Sequence, residues 1–379
     1  MTSVFIASSG ELVDICAELR RHEWVALDTE FMRERTYYAK LCLVQVATPD
    51  VIACIDPLVI DDLTPLLDLV CDPGILKVLH AARQDMEVFH GLLRVRHGCG
   101  ASGDMALRPG PIFDTQIAAS YLGYDEQIGY AALVETLTGK VLDKAHTRTD
   151  WSARPLSTEQ RQYAEDDVRY LRDVYRQLAQ ALAEAGRSHW PQQDFAHLCD
   201  PELYEYDPAQ AWQRVHGAQK LDARGRRLLR ALAAWRELAA RSSDLPRAWV
   251  ISDTTLLELA RRSPRSVADL ESAGGLTARA ARRWGHGILE AMTAAEGQDA
   301  PEFRGRRHSL DPVQAGVCQR LTAEVDRVAG QLGISPALLG PRRDIQRLVL
   351  GDRDVPLLCG WRRDVVGENL LAMLATAGP

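Results

Sequence analysis

This chain of 379 residues is narrowed first by what it has little of. Its eight cysteines, at positions 16, 42, 54, 71, 99, 199, 318 and 359, form no CxxC pair and no metal-ligand spacing, which excludes a thiolate zinc site and a disulfide framework. Most of them stand inside apolar runs, as buried free thiols of a reducing compartment do. No apolar stretch approaches the roughly 20 residues that a spanning helix needs, and the opening MTSVFIASSG is followed by no signal-peptide core. These absences predict a cytoplasmic protein with no membrane partner. Lysine is nearly missing, 5 residues beside 40 arginines, which reflects coding composition rather than chemistry. What is present, 46% apolar and 26% charged residues, is ordinary for a globular protein, and the length predicts two or three domains.

The net charge of −7 is unevenly spread. Residues 1–216 carry 20 Lys and Arg against 33 Asp and Glu, whereas residues 217–379 carry 25 against 19. An acidic first half and a basic second half suit a division of labour in which only the second half attracts a polyanion.

The first part alternates strand-like and helix-like segments. WVALDTE, LCLVQVAT and VIACIDP are short, rich in branched aliphatics and closely spaced, as antiparallel neighbours are. LTPLLDLV reads as a helix, ILKVLH (75–80) as a strand, and QDMEVFHGLL as a helix entered at Asp85. Further on, STEQRQYAEDDVRYLRDVYRQLAQALAEA reads as one long helix opened by Ser157 and Gln160 in a capping-box arrangement. An α/β domain over residues 1–190 follows from this mixture. Residues 191–216, with several prolines and aromatics, read as a connector packed on that domain. Beyond it only helical patterns occur, and they repeat. LDARGRRLLRAL from Leu221 falls on LDPVQAGVCQRL from Leu310 at an offset of 89, and the same offset brings DTTLLELARRSP onto RRDIQRLVLGDR. Two copies of one helical module, 217–297 and 298–379, are therefore expected.

Three acidic pieces bear on chemistry. Asp28 and Glu30 are two apart on a strand, so their carboxylates share a face near its C-terminal end. Carboxylates that close repel unless a cation lies between them or one takes up a proton, and all-oxygen ligands suit magnesium or manganese. Asp85 follows strand ILKVLH at a helix N-terminal region. Tyr163 and Asp167 are four apart on a helix and share a face, with Asp166 as a competing choice. Taken singly, these pieces read equally well as a solvated strand end, a helix cap and an exposed tyrosine.

In this order, DTE, a later Asp after a strand, then Y-x-x-x-D on a helix, they resemble the DEDD superfamily of 3′→5′ exonucleases in its tyrosine subtype, on a ribonuclease H-like fold. DTEFMRERTYYAKLCLVQVAT, FDTQIAASYLG and TRTDWSARPLSTEQRQYAEDDVRYL are similar to the bacterial ribonuclease D family, and the helical modules resemble a tandem pair of HRDC domains. The resemblance implies an α/β ribonuclease H-like exonuclease domain followed by two all-α HRDC-like domains. It implies that Asp28, Glu30, Asp85 and Asp167 hold two divalent ions, Mg²⁺ or Mn²⁺, for in-line phosphoryl displacement, with Tyr163 orienting or deprotonating the attacking water. It further implies nucleoside 5′-monophosphates as products and RNA, transfer-RNA precursors above all, as partner. Phe31 and Met32, just past Glu30, are candidates for stacking on the terminal base, and Arg148 and Trp151 for touching substrate. Arg226, Arg227, Arg230, Arg261, Arg262, Arg282 and Arg283 form a candidate phosphate-binding surface in the basic half. His80 reads as a satisfied buried histidine. Two other readings are an exonuclease of the same superfamily acting on DNA, and a non-catalytic RNA-binding scaffold, which would have lost a metal carboxylate.

Overall fold

A computed structural model describes residues 2–97, 108–142, 149–301 and 310–376. The chain divides into two compact units: residues 1–31, 41–200 and 309–379 form the first, residues 32–40 and 201–308 the second.

The first unit is built on a six-stranded mixed sheet. Its strands are β1 (Thr2–Ile6), β2 (Trp24–Met32), β3 (Lys40–Ala47), β4 (Val51–Ile55), β5 (Leu76–Leu79) and β6 (Ile112–Asp114), in the order β1-β4-β3-β2-β5-β6. β3 and β4 are antiparallel, while β1 with β4, β2 with β5, and β5 with β6 are parallel. The central strands are apolar on both faces, Val25 to Leu27 and Leu41 to Val44 being buried, because helices cover the sheet on each side. β1 and the helix after it, α1 (Ser9–Leu19), are not evident in the sequence, since an edge strand buries little and its text VFI is too short to show a period. The remaining helices of the nuclease-like part are α2 (Thr64–Cys71), α3 (Arg83–His97), α4 (Thr115–Ser120), α5 (Tyr130–Thr138), α6 (Thr158–Arg169), α7 (Leu171–Glu184) and α8 (Gln192–Leu198).

The single helix expected from Ser157 onward is two. The capping box at Ser157 and Gln160 is present, with Gln160 N 3.1 Å from Ser157 Oγ and Ser157 N 2.8 Å from Gln160 Oε1. The helix breaks at Tyr170, where the phenol of Tyr130 donates to Asp166 O at 3.0 Å and accepts from the Leu171 backbone N–H. A side chain inserted into the ladder is a common cause of such a break, and the apolar period of the text gives no sign of it.

The helical half is split between the units. α9 (Ala223–Ser242), α10 (Arg247–Val250), α11 (Asp253–Arg262), α12 (Val267–Gly274) and α13 (Ala278–Ala294) lie in the second unit, and α14 (Pro312–Leu332), α15 (Pro336–Leu339), α16 (Arg342–Val349), α17 (Gly360–Arg362) and α18 (Glu368–Thr376) in the first. The 89-residue offset holds at the level of elements. It takes the N-cap Asp222 to the N-cap Asp311, Arg247 at the start of α10 to Pro336 at the start of α15, and Asp253 at the start of α11 to Arg342 at the start of α16. Buried Leu232, Leu256 and Leu259 fall on buried Leu321, Ile345 and Leu348.

The second copy is part of the same body as the sheet. Trp190 stacks on Trp361 with ring centroids 4.2 Å apart and planes at 9°, and the Tyr121 ring meets Trp361 edge-on at 5.6 Å. Arg187 donates to Tyr121 O at 2.8 Å and to Leu332 O at 2.7 Å, while Arg362 donates to the Tyr121 hydroxyl at 3.1 Å. Gly123, at φ +92°, lets the turn after α14 come close, since a Cβ there would stand 2.3 Å from Gly333 O. Residues 191–216 do not behave as one connector. Phe195 of α8 packs on Phe113 in the first unit, whereas Trp212 and Val215 are buried among Leu228, Leu229 and Leu232 of α9 in the second. The short segment 32–40 also belongs to the second unit: the Tyr37 phenol donates to buried Glu237 and accepts from Arg241 and Arg247 at 3.0 and 3.1 Å.

Candidate active site

Strand direction assembles the site. β2 and β5 are parallel neighbours, so the C-terminal ends of both reach the same edge of the sheet. β2 carries Asp28, Thr29 and Glu30 in its C-terminal half, and the turn after β5 leads into the first turn of α3, which carries Asp85. α6 brings Tyr163 and Asp167 to the same place. One ligand oxygen from each of Asp28, Glu30 and Asp167 lies within 4.8 Å of the other two. Asp85 adjoins them. Its charge acts on Glu30, the charge of Asp28 acts on it, and its Oδ1 accepts a hydrogen bond from the Thr29 hydroxyl. The fold thus brings all five residues that the sequence singled out to one spot.

A cavity of about 530 Å³ opens on this cluster, walled by Asp28, Thr29, Glu30, His80, Tyr130, Tyr163 and Asp167. His80 is bonded at both ring nitrogens, Nδ1 to Thr115 Oγ1 at 3.0 Å and Nε2 to Ile128 O at 3.1 Å. Tyr163 is hydrogen-bonded to the Asp167 carboxylate and faces Trp151, ring centroids 6.0 Å apart. Trp151 is 3% exposed and absent from the cavity wall, so the expectation that it touches substrate is revised: it backs Tyr163. The loop holding Trp151 is fixed by Arg154, which forks onto Asp56, donates to Trp151 O at 2.8 Å and to Cys42 O at 2.6 Å. Phe31 and Met32 are half-buried at the end of β2. Arg148 lies outside the described residues. Thr29, Tyr130 and Arg154 were missed in the sequence. Thr29 was legible in principle as the hydroxyl between two acids, while the other two act through contacts 36 and 98 residues away in the chain.

The electrostatics of the cluster are those of an anionic nest without a counter-charge. Among the described residues none of its four carboxylates forms an ion pair with Lys or Arg. Burial, then the charge of Asp167, push the Asp28 carboxyl well above its usual range, although the Thr29 backbone N–H works against this. Burial and the charges of Asp28, Asp167 and Asp85 raise Glu30 to about 10. Burial and Asp166 raise Asp167 to about 7 against the hydrogen bond from Tyr163, and burial with the Asp28 charge raises Asp85. Hard oxygen donors that close, with no cationic side chain among them, fit a divalent cation.

A pH prediction follows. These carboxyls titrate higher in the folded chain than in the unfolded one, so the folded form binds more protons. The stability they contribute without metal is complete below about pH 4, the unfolded carboxyl range, and is lost as pH rises past about 7 for Asp167 and toward about 10 for Glu30. A divalent cation binds the ionised form, so it reverses the trend. Melting temperatures in chelator and in Mn²⁺ at about pH 5 and about pH 8 test this: the gain from Mn²⁺ is larger at the higher pH. Equal gains at the two pH values would sink it.

In the helical second unit several arginines of the candidate phosphate surface are engaged internally. Arg227 and Arg230 donate to Gln298 at 2.9 and 2.8 Å, and Arg226 to Leu221 O at 3.2 Å. Arg261 and Arg262 both pair with Glu258. Arg283 lies over the Trp284 ring at 4.4 Å, and it and Arg282 remain exposed.

A mixed sheet that gathers two acids from one strand, a third from the helix after its neighbour and a Tyr-x-x-x-Asp pair from a later helix defines a 3′→5′ exonuclease. A family profile described as 3′-5′ exonuclease matches residues 4–183, and one described as HRDC domain matches residues 225–292. The curated ribonuclease D of Granulibacter bethesdensis is 41% identical over 374 residues, covering 97% of this chain and 91% of that protein. That of Gluconacetobacter diazotrophicus is 39% identical over 378 residues, covering 98% and 92%. The crystal structure of Escherichia coli RNase D, described as an exoribonuclease involved in structured RNA processing, superposes with a TM-score of 0.82 at 31% identity, covering 99% of both chains. The chain belongs to the ribonuclease D family of 3′→5′ exoribonucleases. No helix among the described residues is long and apolar enough to cross a membrane.

Proposed function

We propose that this chain removes nucleotides one at a time from the 3′ end of RNA, transfer-RNA precursors being its substrates, with two Mg²⁺ or Mn²⁺ ions held by Asp28, Glu30, Asp85 and Asp167. The observation that carries this reading is the convergence of the Asp28, Glu30 and Asp167 oxygens within 4.8 Å, with no Lys or Arg paired to them among the described residues. Bound there, the ions supply charge neutralisation at the scissile phosphodiester and activation of water at neutral pH.

The chain's own groups do the rest. Thr29 and Tyr163, by donating to Asp85 and Asp167, turn those carboxylates toward the cluster. Tyr163, one turn before Asp167 and backed by Trp151, stands at the cavity wall, where its hydroxyl oxygen accepts a hydrogen bond from the attacking water and orients it, the water's proton leaving to solvent. The water oxygen bonds to phosphorus, the bond to the 3′ oxygen breaks, and that oxygen takes up a proton, releasing a nucleoside 5′-monophosphate. Phe31 and Met32, next to Glu30 on β2, flank the terminal base, and Arg148 contacts substrate. Arg282 and Arg283 supply phosphate contacts from the helical second unit. The copy in the first unit is an HRDC-like module whose helices serve the body of the nuclease.

A single assay separates this from its rivals. RNA and DNA oligonucleotides labelled at the 5′ end are incubated with Mg²⁺, with Mn²⁺ and with EDTA. The expected result is a ladder of RNA shortened from the 3′ end, lost in EDTA. Faster shortening of DNA favours the DNA exonuclease reading, and RNA retained in a complex but never shortened favours the scaffold.

A further inference from the structure

We propose that the corner Asp114–Thr115, at the end of β6, is a positioning element for Asp85, and that Asp114 determines how tightly the acidic cluster holds its cation. The proposal rests on the metal reading of the cluster and concerns residues outside its four carboxylates, although the charge of Asp114 also reaches Asp85.

Asp114 is 2% exposed and has no cationic partner among the described residues. Its carboxylate is instead saturated by backbone. Oδ1 accepts from Gln116 N at 2.8 Å and Ile117 N at 3.2 Å, which caps α4, and also from Ala81 N at 3.2 Å, while Oδ2 accepts from Ala82 N at 2.8 Å. Capping a helix is the ordinary use of an aspartate at this position. Reaching across to a second chain corner is not. Ala81 has φ +55°, a left-handed conformation that a residue with a Cβ seldom adopts unless it is held there. The next residue, Ala82, accepts from Met86 N at 2.9 Å and so opens α3, on whose first turn Asp85 sits.

Thr115 closes the same corner from the other side. Its hydroxyl donates to Leu79 O at 3.1 Å and lies 3.0 Å from His80 Nδ1, and His80 Nε2 in turn donates to Ile128 O. Every residue from Leu79 to Ala82 is therefore gripped by the Asp114–Thr115 step or by its hydrogen-bond chain. β5 contributes only four residues, and no other device among these contacts fixes the direction in which α3 leaves it. Asp85, which stands three residues beyond Ala82, inherits its place in the cluster from this grip. Groups that orient metal ligands from behind are worth about 10–100-fold in metal affinity when removed.

The test is Mn²⁺ binding by the full chain, followed by calorimetry or by the electron paramagnetic resonance of free Mn²⁺, at a temperature where every variant is folded by circular dichroism. Wild type, Asp85→Asn, Asp114→Asn and Thr115→Val are compared. Asp114→Asn turns one accepting oxygen into an amide donor that faces an N–H. It is expected to raise the Mn²⁺ dissociation constant about tenfold or more, to lower kcat on RNA and to leave KM unchanged, with excess Mn²⁺ restoring part of the rate. Thr115→Val is expected to move the affinity in the same direction by about threefold. A purely structural role lowers melting temperature but leaves the Mn²⁺ affinity of the folded protein where it was, and that outcome in both variants overturns the proposal. If Asp114→Asn does not fold, Thr115→Val decides alone. If wild type itself binds no Mn²⁺ and Asp85→Asn changes nothing, the metal reading fails instead.

Discussion

Asp28→Asn abolishes 3′-end shortening of RNA, by roughly a thousandfold or more in kcat, equivalent to about 4 kcal/mol of lost transition-state stabilisation. At the same time it leaves the metal-free protein as stable as wild type or more so. The two halves of this expectation come from one fact. Asp28 is the carboxylate on which burial and the neighbouring Asp167 charge act together, so in the absence of a cation its ionised form is disfavoured. An amide of the same shape keeps the packing on β2, removes that repulsion and removes a metal ligand. Activity and stability therefore move in opposite directions, as they do where a site is held in an arrangement that suits chemistry rather than folding. Melting in EDTA at about pH 8, beside a 5′-labelled RNA ladder in Mg²⁺, measures both. A variant within a few-fold of the wild-type rate removes Asp28 from the catalytic set, and a variant that melts well below wild type in EDTA shows that the carboxylate serves the fold.

Trp361→Ala destabilises the whole nuclease unit by about 3–5 kcal/mol in a urea titration, although residue 361 is nearly 200 positions from the catalytic helix in the chain. Trp361 is 4% exposed, stacks on Trp190, meets the edge of Tyr121 and lies beneath the guanidinium of Arg362, with its centroid 4.7 Å from the Arg362 carbon. Removing the indole empties a space lined by three large groups and leaves Arg362 held, among the described residues, through Tyr121, Leu338 O and Asp194. The sequence alone reads the basic C-terminal half, 217–379, as two modules appended to the nuclease, whose removal together weakens binding and leaves hydrolysis of short oligonucleotides. The packing of 310–376 in the first unit changes that expectation. A chain ending near residue 309 exposes Trp190, Tyr121 and the C-terminal end of α7, and is expected to unfold or precipitate rather than to survive as a weaker binder. A truncated chain with wild-type melting behaviour contradicts this, as does a Trp361→Ala midpoint equal to that of wild type.

Much of the site was legible. Asp28 and Glu30 show themselves because carboxylates at alternate positions of an apolar strand have no use in a core, and the strand period puts them side by side without any tertiary knowledge. The Tyr163 and Asp167 pair follows the helix period on a helix opened by a capping box whose two hydrogen bonds the structure contains, but the period also admits Asp166, and only the resemblance chose Asp167. Asp85 was singled out as a candidate by its place after a strand, but its role came only through resemblance, because an acid in the first turn of a helix is usually just a cap. The roles of Thr29, Tyr130, Arg154 and Asp114 were not read from the sequence, although Thr29 stands between two acids and Asp114 lies in the FDTQIAASYLG stretch. Each acts on a partner that its neighbours in the text do not name: Asp85, the backbone at Asp166, Asp56, and the turn at Ala81.

By itself the sequence determined the elements and the chemistry they bear, the alternating apolar periods, the caps, the acids at strand and helix ends, and the 89-residue echo in the helical half. These depend on interactions within a few residues, or on similarity between two stretches of one chain. Only the tertiary structure decided that the oxygens of Asp28, Glu30 and Asp167 meet within 4.8 Å, that the long helix breaks at Tyr170, and that the two helical copies go to different units. Each of these is a matter of which surfaces pack together, and packing is fixed by the summed burial of side chains far apart in the chain, which no local period records.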